Sequence, residues 1–145
     1  MTNNYNLFLD DIRNPSDTGY TGKIGFYIST NWVIVRNYDQ FCKEIASRFE
    51  ADESFPDLIS FDHDLADEHY APGHRWKDYH KWAEEMNFKE KTGMDCAKWL
   101  VDFCIDKNVK LPNYLIHSMN PSGADNIFGL LENFRKFQDN ENTRS

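Results

Sequence analysis

The chain reads as an α/β domain, a three-layer sandwich built on a mostly parallel sheet of about four to five strands. Two observations predict it. Short apolar runs rich in β-branched and aromatic residues alternate with amphipathic stretches of helical period, strand then helix three times over. Three of the apolar runs also end abruptly in polar clusters: Leu7-Phe8-Leu9-Asp10-Asp11, Ile59-Ser60-Phe61-Asp62-His63-Asp64 and Tyr114-Leu115-Ile116-His117-Ser118-Met119-Asn120. In an open parallel sheet the carboxyl ends of the strands meet at one edge, where ligands bind. If these strands are neighbours, the clusters converge.

The first strand spans Tyr5 to Asp10 and runs into Asn14-Pro15, a turn signal. The stretch to Asn31 is rich in Gly, Ser, Thr and Asn and reads as a long loop, in which Phe26-Tyr27-Ile28 can add a short strand. Trp32-Val33-Ile34-Val35 is the second strand. Asn37 with Gln40 three residues on is a capping-box-like start, and Phe41, Ile45 and Phe49 carry a helix from about Tyr38 to Glu50.

Leu58 to Phe61 is the third strand. Residues 66–90 lack clean periodicity and read as an insertion, partly helical between Trp76 and Met86; long insertions beside a site act as lids or specificity loops. Thr92 caps the next helix, with Asp95 at its third position and Met94, Ala97, Val101, Cys104 and Ile105 on its apolar face. Lys110-Leu111-Pro112 closes it and Tyr114 to Ile116 is the fourth strand. Pro121-Ser122-Gly123 opens the last helix, with Ser122 as its natural cap. Ile127, Leu130, Leu131, Phe134 and Phe137 carry it to near Gln138. No convincing fifth strand follows. The 145 residues thus make one domain, residues 1–138, with a polar tail over 139–145.

Eleven Phe, seven Tyr and four Trp supply a real core. The formal charge of −8 argues against an extended nucleic-acid surface or an anionic membrane as partner. It leaves room for a small phosphorylated substrate, because a bound cation reverses the local field. The segment Met1 to Asn6 is polar, the apolar run after it is only Leu7 to Leu9, and no stretch reaches membrane-spanning length. Cys42, Cys96 and Cys104 are an odd set without Cys-x-x-Cys spacing and read as buried thiols of a reducing compartment. The expected location is the cytoplasm.

Each polar cluster has a bland reading and a chemical one. A single acid after a strand is often a turn former. Two in a row, Asp10 and Asp11, better suit a hard divalent cation, which wants oxygen ligands from short side chains on rigid elements. Arg13 either bridges to a phosphate or pairs with one of these acids. In Asp62-His63-Asp64, an extended chain turns both acids to one face and His63 to the other. One carboxylate can then share a metal with Asp10 and Asp11, while His63 presents a group of ordinary pKa about 6.5 for proton transfer. His117 alone would read as a satisfied core histidine, but it leaves its strand at the same edge as a second histidine. Ser118 and Asn120 suit phosphate oxygens, and Ser122 and Gly123 add helix-terminal N–H groups; all can equally be caps. His69, His74 and His80 match no zinc spacing and read as solvated loop residues, and Trp76, Tyr79 and Trp82 as anchors of the insertion.

These motifs resemble a known family. Leu-Phe-Leu-Asp10-Asp11-x-Arg13-x-Pro15, Ile-Ser-Phe-Asp62-His63-Asp64-Leu, Thr92-Gly93-Met-Asp95 and His117-Ser118-Met119-Asn120-Pro121-x-Gly123 are similar to those of the cyclic-phosphate-processing relatives of response-regulator receiver domains. The resemblance spans nearly the whole chain apart from the insertion and tail. It implies a receiver-like (flavodoxin-like) fold, a metal-supported acidic pocket and processing of cyclic phosphates on nucleotides or RNA ends. Compared with signalling receivers, the sequence keeps the acid pair after strand one, an acid after strand three and a hydroxyl, Ser118, after strand four. It lacks an identifiable lysine after a fifth strand and has two histidines at the pocket.

The resulting expectation is a phosphoesterase that opens a cyclic phosphodiester on a small nucleotide or RNA end. Asp10, Asp11 and Asp62 would hold Mg²⁺ or Mn²⁺, with Asp64 assisting or orienting His63. His63 and His117 would be acid and base in either order, and Arg13, Ser118, Asn120, Ser122 and Gly123 would bind phosphate. A pseudo-receiver signalling or partner-binding module and a non-catalytic cyclic-nucleotide binder are the alternatives.

Overall fold

The computed structural model describes residues 4–65 and 91–144. The expected insertion, with its histidines and aromatic residues, lies outside them. Four strands, β1 (Tyr5–Leu9), β2 (Val33–Val35), β3 (Pro56–Phe61) and β4 (Asn113–Ile116), form one sheet in the order β2-β1-β3-β4. Every pairing is parallel. The order is that of the flavodoxin-like doubly wound sheet, whose ligands bind where successive connections leave to opposite sides, here between β1 and β3. Among the described residues the helices are α1 (Ile24–Ser29), α2 (Tyr38–Asp52), α3 (Gly93–Lys107) and α4 (Pro121–Arg144), with 3₁₀ turns at Pro15–Asp17 and Gly19–Thr21.

Alternation along β1 and β3 divides the interior in two. Leu7, Leu9, Ile59 and Phe61 face a core completed by Phe41 and Ile45 of α2, Ala97 and Leu100 of α3, and Ile127 and Leu131 of α4. α3 touches both α2 and α4. The other face carries Phe8, which stacks on His117 at 4.5 Å and meets Tyr27 and Trp32 edge-on at 5.9 and 5.8 Å. Both faces are thus covered, as parallel strands require. The three cysteines are free, with Cys96 and Cys104 buried in this interior.

Sequence signals account for most boundaries. The Asn37 side chain accepts from the Gln40 N–H at 2.8 Å, while the Gln40 side chain reaches back to the Arg36 N–H. Thr92 and Asp95 form the reciprocal capping box of α3. That helix stops at Lys107 because Asn108 takes the left-handed conformation (φ 54°), which asparagine tolerates. Pro56 begins β3, where its missing N–H costs least.

Three expectations need correction. Phe26-Tyr27-Ile28 is helical, not a strand: only Tyr27 is buried, whereas Phe26 and Ile28 are exposed, so nothing buries a strand face there. The cap of α4 is Asn120, whose side chain accepts from the Gly123 N–H at 3.0 Å. α4 itself continues past Gln138 to Arg144.

Candidate functional site

The register of the sheet builds the site. Leu9 pairs with Val35 and Phe61, and Phe61 with Ile116. The ladder then extends one residue further, because Asp10 N donates to Val35 O, Asp62 N to Leu9 O and His117 N to Phe61 O. Asp10, Asp62 and His117 therefore stand side by side at the carboxyl edge, one step beyond the apolar strands. Their ligand atoms all lie within 4.8 Å of one another. All three are buried, none more than 2% exposed.

Each is held differently. Oδ1 of Asp10 accepts the Ile12 and Arg13 N–H groups at 3.0 and 2.8 Å, and Oδ2 faces His117 Nε2 at 3.0 Å. Arg13 approaches Oδ2 at 3.6 Å. Burial pushes the Asp10 carboxyl upward, but the hydrogen bonds from His117, Arg13 and Ile12 outweigh it and hold the group below its ordinary range. Burial pushes His117 below its ordinary value, with Asp10 acting in the opposite sense, so a neutral imidazole faces a carboxylate. Asp62 is the least satisfied. Its Oδ1 accepts the His63 N–H at 2.9 Å, while its Oδ2 is buried without a partner. Burial, then the charges of Asp10 and Asp64, raise its pKa to about 8.

The second histidine has its own carboxylate. His63 Nδ1 lies 2.8 Å from Asp64 Oδ1, an oxygen that also accepts from Asn120 Nδ2 at 3.3 Å. Glycines press the loop from both sides. Gly93 N donates to His63 O at 2.7 Å, and a Cβ on Gly93 would fall 1.8 Å from Asp62 O. A Cβ on Gly123 would fall 2.3 Å from His63 Cγ. A side chain at Gly93 would run into backbone, and one at Gly123 would have to displace the His63 ring.

The expected site residues thus sort into groups. Asp10, Asp62 and His117 form the compact set; Asp11 and Asp64 are not in it. The chain leaves β1 at Asp10 in a turn closed on the Asp10 carboxylate, so Asp11 departs from the row, and Asp64 is drawn to His63 and Asn120. His117 has both ring nitrogens engaged, because Nδ1 lies 2.7 Å from Ser60 Oγ. Asn120 is committed as cap and as donor to Asp64. Ser118 accepts from the Asn120 N–H and lines a cavity of about 240 Å³ shared with Tyr20, Lys23, Tyr27 and His117. Gly123 is a close-packing position against His63, and the carbonyl of Ser122 accepts from Asn126. Arg13 donates to Met119 Sδ at 3.0 Å and lies over the Tyr20 ring.

Sequence reasoning missed several supporting residues. Arg36 donates to the carbonyls of Asp10 and Arg13 and to Asn14 Oδ1, fixing the loop after β1. Tyr20 donates to the His117 carbonyl. Ser60 touches His117, and Tyr27 touches Ser60 at 2.8 Å. Only Ser60 left a signal, as a hydroxyl between the apolar Ile59 and Phe61.

The acid and imidazole donors suit a divalent ion, and the orphaned Oδ2 of Asp62 is the kind of atom such an ion satisfies. Fold and site together define a receiver-like α/β domain with a buried acid–imidazole centre at its switch point. The family profile described as the cyclic-phosphate processing receiver domain matches residues 5–133, and the chain belongs to that family. No curated protein and no solved structure matches it. No helix among the described residues is long and apolar enough to cross a membrane.

Proposed function

We propose that this domain opens a cyclic phosphodiester on a small nucleotide or an RNA end, using a divalent cation held by Asp10, Asp62 and His117. The observation that carries the reading is the unpartnered Oδ2 of Asp62, buried among ligand atoms within 4.8 Å of one another. Uncompensated buried carboxylates are costly, and a cation offsets that cost. When bound, Mg²⁺ or Mn²⁺ would supply neutralisation of the phosphate charge.

The remaining roles fall to the chain's own groups. With His117 committed to Asp10, proton transfer falls to His63, oriented through Nδ1 by Asp64 in the manner of a base and its orienting acid. Arg13, already at the rim beside Asp10, neutralises a phosphate oxygen. Ser118 and the helix-terminal N–H of Ser122 complete the cradle, since the Gly123 N–H is taken by the Asn120 cap. The net charge of −8 favours a small substrate over an extended nucleic-acid strand.

The test is a panel of cyclic phosphates, 2′,3′-cyclic nucleotides and a 2′,3′-cyclic RNA end among them, followed by phosphorus NMR with and without Mn²⁺. Cation-dependent conversion of a cyclic diester resonance to a monoester is expected. If every member of the panel survives with each of Mg²⁺ and Mn²⁺, the catalytic reading fails.

A further inference from the structure

Behind the cation-binding face lies a buried chain of hydrogen bonds that ends on no charged group. Asp10 Oδ2 faces His117 Nε2 at 3.0 Å, His117 Nδ1 faces Ser60 Oγ at 2.7 Å, and Ser60 Oγ faces Tyr27 Oη at 2.8 Å. His117, Ser60 and Tyr27 are each no more than 1% exposed. Phe8 stacks on the imidazole at an interplanar angle of 7°, which holds the plane of the ring. Its two nitrogens must be served by the groups already there.

A neutral imidazole has one N–H and one lone pair. As the chain stands, the Asp10 carboxylate can only accept, so the proton belongs on Nε2. Ser60 then donates to Nδ1 and Tyr27 donates to Ser60. A cation between Asp10 and His117 needs the opposite arrangement, with the lone pair on Nε2 and the proton on Nδ1. A hydroxyl is the right neighbour for both states, because it can donate or accept by rotation alone. A carboxylate or an ammonium at Ser60 would lock one of them.

We propose that the Ser60–Tyr27 hydroxyl pair is a reversible relay that sets the tautomer of His117 and lets its Nε2 serve as a cation ligand. On loading, Nε2 releases its proton to solvent. Ser60 passes its hydroxyl proton to Nδ1 and takes one from Tyr27, which regains one from the cavity it lines. One proton leaves, one enters and the imidazole stays neutral. Ser60 then accepts from Nδ1 and donates to Tyr27. Little movement is needed, since two ligands about 2.0–2.1 Å from one ion at a tetrahedral angle stand roughly 3.3 Å apart, close to the observed 3.0 Å. Ser60 and Tyr27 are positioning residues here, not catalytic ones. Nitrogen ligation also implies better acceptance of Zn²⁺ than an all-oxygen site would show.

The proposal rests on reading Asp10, Asp62 and His117 as one cation site, and its test needs no substrate. Nitrogen-15 NMR of the imidazoles in the full chain, assigned with His117→Gln, reports the tautomer directly. The Nε2–H form is expected without metal and the Nδ1–H form with Zn²⁺. Calorimetric Zn²⁺ affinity should fall about tenfold or more in Ser60→Ala and by less in Tyr27→Phe, while Mg²⁺ affinity changes little. Circular dichroism melts qualify each variant, and the wild-type tautomer measurement decides the matter if Ser60→Ala does not fold. A His117 that keeps Nε2–H with Zn²⁺ bound overturns the relay and leaves the cation site standing. Failure of Zn²⁺ to bind at all overturns both. Tautomer exchange without turnover of any cyclic phosphate supports the relay and removes only the catalytic role.

Discussion

His117 Nε2 and Asp10 Oδ2 lie 3.0 Å apart although 107 positions separate the two residues in the chain. The contact gives the two histidines unequal work, since His63 is paired instead with Asp64. His117→Ala should therefore weaken Mn²⁺ binding at least tenfold. His63→Ala should bind Mn²⁺ almost as the native protein does, yet lose about 10²- to 10⁴-fold in turnover. Calorimetry and a rate assay on both variants check the division. Native Mn²⁺ affinity in His117→Ala would contradict it.

Asp62 sets a pH dependence with a defined sign. Its pKa rises from an ordinary 3.8 to about 8 on folding, so the folded chain holds a proton that the unfolded chain has released. Stability from this group is full below pH about 4 and is lost as pH climbs through about 8. His117, pushed below 6.5, acts in the opposite sense, but only below its ordinary value. Between pH about 6.5 and 8 the Asp62 trend stands clear of it. Melting temperature in EDTA should fall across that window, saturating Mn²⁺ should flatten the fall, and Asp62→Asn should remove it. A flat profile for the metal-free native protein would count against the buried, unsatisfied acid.

Two glycines make steric predictions of different kinds. A Cβ on Gly93 meets the Asp62 carbonyl at 1.8 Å, and backbone cannot swing aside. Gly93→Ala should cost at least about 1–3 kcal/mol, read from denaturant midpoints. A Cβ on Gly123 meets the His63 ring at 2.3 Å, and a side chain can move. Gly123→Ala should fold, displace His63 from Asp64 and depress turnover far more than Mn²⁺ affinity.

Asn120 holds two positions at once, capping α4 through Oδ1 and bonding Asp64 through Nδ2. Asn120→Ala should lose about 1–2 kcal/mol of stability together with activity. Asn120→Ser should recover most of the stability, because serine caps nearly as well, but not the activity, because its hydroxyl is too short to reach Asp64. Equal recovery of both would show that the Asp64 contact is incidental.

Much of this architecture is legible in local pattern. The apolar spacing of Phe41, Ile45 and Phe49, the Thr92–Asp95 box and the β-branched Val33 to Val35 each act over a few residues, and each is found where expected. The helix over Phe26 to Ile28 is not legible, because three apolar residues in a row have no period until the sheet buries only Tyr27. Asp11 is adjacent to Asp10 and chemically identical, yet a turn carries it off the row. Asn120 and Ser122 are both good caps, and only the emergence of the chain from β4 selects between them.

Composition and spacing alone determined that this chain makes a parallel α/β sheet with acids and histidines at its strand ends, because periodicity, caps and turn residues are properties of neighbouring positions. The tertiary structure decided which of those residues share one volume. Parallel register carries Asp10, Asp62 and His117 one step beyond Leu9, Phe61 and Ile116 together. Close packing at Gly93 and Gly123 turns His63 and Asp64 to each other, and burial strips Asp62 of the water that would otherwise satisfy it. Those are consequences of pairing between distant strands, to which no local pattern refers.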